Sequence, residues 1–216
     1  ERGARSTPLR LLDLSALRTA GQRPQLVRLL LIYLVSTAGF AVLHAIMTYF
    51  VLDTLQVTVS RAPEQAARLT GYVFAWIGVL AIVVQGGAIR PLVKRFGEAR
   101  LLLAGLGLLA AALAVLPAAH GLGMLLLVTT PLAVGNALCS ANLPALLTFH
   151  SPAPQRGEIL GVSQSLGSIG RIIGPLAGGA LYDVGRAVPF WAGAVLCAVA
   201  VVLAAGLPAN RPEETL

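Results

Sequence analysis

Apolar residues gather into six long runs separated by short polar stretches, at about 26–52, 69–89, 101–118, 122–149, 159–182 and 189–208. Each run is long enough to cross a hydrocarbon core of roughly 30 Å as a helix rising about 1.5 Å per residue. The fourth contains Pro131 and Pro144, which predict a tilt or kink. Within the fifth, Gly170, Gly174 and Gly178 recur at every fourth residue and form one bare stripe on a helix. Such a stripe lets a second helix approach backbone to backbone, as helices do where no water drives them together. Pro175 cannot donate to the carbonyl of Arg171, so the helical ladder opens there. Arg171 itself lies mid-run, at a depth where a cation is expensive and is a functional candidate by default.

Residues 1–25 are polar and basic. Thr7-Pro8 predicts a helix start and Gly21 its end, with Leu9, Leu12 and Ala16 on one face. This segment reads either as a short amphipathic helix on a membrane surface or as a linker with a few leucines. No signal peptide is expected, because the first apolar run is too long and follows an extended basic segment. Residues 209–216 form a polar tail.

Composition sharpens the class. The chain is 56% hydrophobic and 12% charged, with a mean hydropathy of +0.80. Soluble domains carry about 25% charged residues, so the deficit points to a membrane protein. The net charge is +7. No basic surface interleaved with aromatics accompanies it, so nucleic acid is not an expected partner. The cations instead cluster at run ends. Twelve fall on one side of the six runs and three on the other (Arg61, Arg68 and Arg186), with Arg171 inside. The positive-inside rule then makes both termini cytoplasmic and puts 53–68, His120-Gly121 and 183–188 outside. Cys139 and Cys197 lie in apolar runs and read as packing residues. Phosphate loops, nucleophile elbows and metal-ligand clusters are missing from the sequence, so no enzyme, cofactor or metal site is expected.

Three motifs carry a resemblance. Gly170-x-x-x-Gly174-Pro175-x-x-Gly178-Gly179 is similar at every fixed position to the antiporter motif of the major facilitator superfamily. Arg90, Lys94, Arg95, Gly97 and Arg100 resemble a degraded copy of that family's basic cytoplasmic loop motif. Arg156-Gly157-Glu158-x-x-Gly161-x-x-Gln164-Ser165 resembles the entry to the family's eleventh helix. The chain most closely resembles the C-terminal six-helix half of tetracycline-exporter-like drug–proton antiporters. Lys94 stands where a first half keeps an aspartate, and the run at 122–149 lacks an arginine, which favours the second half.

The resemblance implies an all-α membrane protein with six transmembrane helices, one half of a twelve-helix bundle. It implies a secondary active transporter in the plasma (inner) membrane, exporting small lipophilic or amphipathic compounds by proton-coupled alternating access. Its partners would be a small-molecule substrate, the lipid bilayer and an N-terminal six-helix half. The family's architecture turns the first, second, fourth and fifth runs toward the cavity or the other half, and the third and sixth mostly toward lipid. Polar residues on the cavity-facing runs become lining candidates: Tyr33, Ser36, Thr37, Gln85, Asn136, Ser140, Asn142 and Gln164. Each is equally open to an ordinary interhelical hydrogen bond. Arg171 is either a cavity cation, with a substrate or a carboxylate of the other half as its partner, or a cap for carbonyls freed near Pro175. His44 is the one group inside the runs that titrates readily, and reads as a proton carrier or as a hydrogen-bonded packing residue. Two rivals remain: a uniporter or importer of a polar metabolite on the same fold, and a non-transporting membrane scaffold.

Overall fold

The computed structural model describes residues 21–57 and 63–207. Seven α-helices build six rods: α1 (Pro24–Thr54), α2 (Pro63–Val83), α3 (Ile89–Phe96), α4 (Glu98–Val115), α5 (Gly121–His150), α6 (Arg156–Val184) and α7 (Val188–Ala205). Among the described residues there is no strand. The short helix expected before Gly21 lies outside them.

The second rod is longer than its apolar run. A π-helical turn, Val84–Ala88, joins α2 to α3, so helix continues through Arg90, Lys94 and Arg95. The basic motif is therefore mostly helix. It breaks only at Gly97, whose φ of 78° and ψ of 158° suit a residue without a Cβ. Glu98 then opens α4, where its charge suits a helix N-terminus.

Five stretches are long and apolar enough to cross a membrane: Pro24–Leu43, Glu64–Phe96, Glu98–Ala118, Gly121–His150 and Val188–Ala205. At 29 residues α6 has the length, but its glycines and serines, with Gln164 and Arg171, dilute its hydropathy. It is the rod best suited to bury its face against protein or water.

Bare backbone sets how the rods meet. The stripe on α6 lies along α1: an added Cβ at Gly170 would sit 3.1 Å from the Ala38 nitrogen, at Gly174 2.7 Å from the Ala41 Cβ, and at Gly178 3.1 Å from the Val42 oxygen. Two unforeseen glycine pairs repeat the device. A Cβ at Gly39 of α1 would meet the Gly193 oxygen of α7 at 3.0 Å, and one at Gly135 of α5 would meet the Gly105 oxygen of α4 at 2.6 Å. Gly179 differs, with nothing within 4 Å. Packed this way, the rods run α6, α1, α7, α4, α5, α2 around the bundle, with α1 also touching α5. The core, including Leu29, Met47, Phe50, Leu106, Leu109 and Phe190, fills the space among α1, α4, α5 and α7.

Candidate functional site

A cavity of about 560 Å³ opens between α1, α5 and α6. Tyr33, Ser36 and Thr37 line it from α1, Asn136 and Ser140 from α5, and Gln164 and Arg171 from α6. These seven sequence candidates come from positions up to 138 residues apart (171 minus 33). Glycine spacing holds α6 against α1 and so places Arg171 opposite α5. Pro144 and Pro175 also lie in the wall. Each lacks an N–H, which releases the backbone carbonyl four residues earlier, at Ser140 and Arg171 respectively. Both residues that carry a freed acceptor therefore belong to the lining.

The remaining wall is apolar: Phe40, Ala41, Leu109, Cys139 and Leu143. Reading for polar side chains missed these, because nothing separates an apolar lining residue from an apolar core residue in one sequence. Gly167 was missed for a related reason. An added Cβ there would lie 2.6 Å from Tyr33 Cε1 and 3.2 Å from Arg171 Nη1. The missing side chain is what lets the Tyr33 ring and the guanidinium share that space.

Arg171 is exposed, and its Nη2 donates to the Ser168 hydroxyl at 3.1 Å. No described carboxylate forms an ion pair with it. Among the described residues, Arg68 pairs with Glu64 and Arg186 with Asp53. Ser36 donates to the Ile32 carbonyl at 2.6 Å, and Ser140 to the Ala137 carbonyl at 3.1 Å. Their oxygens keep acceptor capacity toward the cavity.

Three candidates stand apart. Asn142 is almost fully buried, its amide donating to the Leu138 carbonyl at 2.8 Å, so it belongs to α5's own packing. Its register on α5, two residues past Ser140, turns it away from the cavity face. Gln85 acts one step removed: it sits in the π-helical turn and donates to Ser140 at 3.2 Å. Above it, Trp76 donates to the Thr130 hydroxyl at 3.0 Å and the Leu126 carbonyl at 3.2 Å, tying α2 to α5. His44 is on α1, with its side chain outside the described residues.

The basic residues Arg90, Lys94, Arg95 and Arg100 are all exposed at the end of the bundle away from the α1–α2 and α6–α7 turns. Arg95 lies 5.3 Å from the Phe96 ring centroid. At the opposite end a clasp joins α1 to the α6–α7 turn. Arg186 pairs with Asp53 at 3.0 Å, donates to Thr54 and stacks over Phe50 at 4.7 Å.

Residues 14–216 match the family model described as Major Facilitator Superfamily. The chain belongs to that family. It is thus an integral, multi-pass membrane protein of the transporter class. An uncharacterised MFS-type transporter of Mycobacterium tuberculosis is 31% identical over 168 residues, which cover 76% of this chain and 29% of that protein. Multidrug resistance protein 1 of Bacillus subtilis is 30% identical over 175 residues, covering 80% of this chain and 42% of that protein. The chain therefore spans less than half the length of these relatives.

Proposed function

We propose that this chain is the second six-helix half of a secondary transporter that exports small lipophilic or amphipathic compounds in exchange for protons by alternating access. The cavity carries the reading. Its volume of about 560 Å³ suits a drug-sized molecule, and its wall mixes an apolar majority with a few convergent polar groups. The similarity to the Bacillus multidrug resistance protein supports drug efflux. The short span of this chain on both relatives supports a further half. Charge asymmetry supports cytoplasmic termini in the plasma membrane, with the basic end of α3 and α4 as a cytoplasmic latch. Glycine-lined contacts at Gly170, Gly174 and Gly178 would let α6 and α1 move as one body.

The described cavity lining has no carboxylate. The proton-binding carboxylate is therefore assigned to the other half, against which this one rocks.

Inverted vesicles containing the full-length protein test the function. Acid-inside vesicles should accumulate a lipophilic fluorescent substrate, and a protonophore should abolish the accumulation. Asn136→Leu removes a polar amide from the cavity wall and, where the substrate bonds to it, should weaken apparent affinity roughly tenfold. Accumulation indifferent to the gradient would overturn proton coupling. Absent flux, together with a stoichiometric protein partner on purification, would favour the scaffold.

A further inference from the structure

The charge in the cavity narrows the substrate. Arg171 is the one charged side chain among the described residues of the lining. Its hydrogen-bond partner, the Ser168 hydroxyl, is neutral, so no described side chain of the lining compensates the positive charge. The guanidinium brings a delocalised positive charge and a fixed fork of N–H donors to the wall. Its field repels a cation and attracts an anion. Its planar fork matches a carboxylate in two parallel hydrogen bonds.

The rest of the wall completes the description. Phe40 of α1, Leu109 of α4 and Leu143 of α5 offer apolar contact. Gly167 leaves the guanidinium room beside the Tyr33 ring, and Tyr33 can hydrogen-bond a polar group near the charge. We infer that the cavity takes an amphipathic organic anion, with a carboxylate seated on Arg171 and an apolar body against Phe40, Leu109 and Leu143. This inference rests on the transporter reading and adds the charge class of the substrate to it.

Three probes of similar lipophilic character test it with the purified full-length protein in nanodiscs: naphthoxyacetate, its neutral methyl ester, and the cation tetraphenylphosphonium. The wild type should bind the carboxylate at least about tenfold more tightly than the ester, as expected for one charge-assisted contact, and the phosphonium most weakly. Arg171→Gln should collapse the carboxylate-to-ester affinity ratio by at least about tenfold, and Arg171→Lys should restore part of it. Flux of the same probes in vesicles separates the two levels of argument. If no probe moves under a pH gradient, the transporter reading fails and the substrate class fails with it. If the wild type moves the phosphonium at least as well as the carboxylate, only the substrate class fails. It fails also if Arg171→Gln lowers binding of all three probes alike, which would make Arg171 a structural or coupling cation.

Discussion

An alanine Cβ at Gly174 would lie 2.7 Å from the Ala41 Cβ and 3.0 Å from the Ala38 oxygen, closer than real side chains approach a helix backbone. The contact is between two helix backbones, so neither side can give way by changing a rotamer. Gly174→Leu is expected to insert normally, because it adds apolar area, yet to force α6 off α1 and abolish transport. Transport at the wild-type rate in that variant would refute the role of the stripe. Gly107→Ala on α4 is the control, since an added Cβ there meets nothing within 4 Å. Its melting temperature in detergent should not fall, while that of Gly174→Ala should. Gly167 is sensitive in another way, since there the clash falls on the Tyr33 ring.

At the level of helices, α1 is the element on which the others depend. It contacts α5, α6 and α7, and its two ends are tied by arginines to distant parts of the chain. At one end Arg28 donates to the Gly206 carbonyl at 2.5 Å and Arg23 to the His150 carbonyl at 3.4 Å. At the other, Arg186 holds Asp53, Thr54 and the Phe50 ring, which meets Phe190 at a centroid distance of 4.6 Å. The Arg186 and Asp53 side chains are 37% and 50% exposed, so the ion pair alone contributes at most about 1 kcal/mol. Asp53→Asn should therefore lower the melting temperature only slightly. Arg186→Ala loses the ion pair, the Thr54 hydrogen bond and the ring contact together, and should lower it more. Equal effects in thermal melts would show that the ion pair alone matters. By contrast the second rod is held to α5 through Trp76 of α2 and Gln85 of the π-helical turn, and most of its apolar span is exposed.

The whole bundle is buried unevenly. Exposed apolar side chains cover α2, with Tyr72, Val79, Ile82 and Val83, and α6, with Ile169, Ile172, Ile173 and Leu176. Of these two rods, α6 lines the cavity, and the second rod is bonded to its α5 wall through Gln85 and Ser140. In the proposed transporter a second six-helix body covers that side and lipid covers the rest. The native protein in its own membrane should then have a mass about twice the 22.3 kDa of this chain. A native mass near 22.3 kDa would require a dimer or a separate half.

Several features were determined by the sequence alone. Membrane class, six rods and their approximate limits follow from run length and hydropathy, which are local properties. The glycine stripe was legible because period four on a helix is geometry, whereas the positive φ of Gly97 was seen only in the structure. Seven polar residues that the structure gathers around one cavity stood out because a polar side chain in an apolar run needs a partner, and the family resemblance named the runs that carry them. Facing was not. A helix that is apolar all round carries no moment to say which side meets a neighbour. Only tertiary packing decided that Gly170, Gly174 and Gly178 meet α1, that Gly39 meets Gly193 and Gly105 meets Gly135, and that Asn136 faces the cavity while Asn142 turns inward. The apolar part of the wall, Phe40, Leu109 and Leu143, likewise exists only once α1, α4, α5 and α6 come together. The clasp of Arg186 on Asp53 joins residues 133 positions apart (186 minus 53), a pairing that no local pattern encodes.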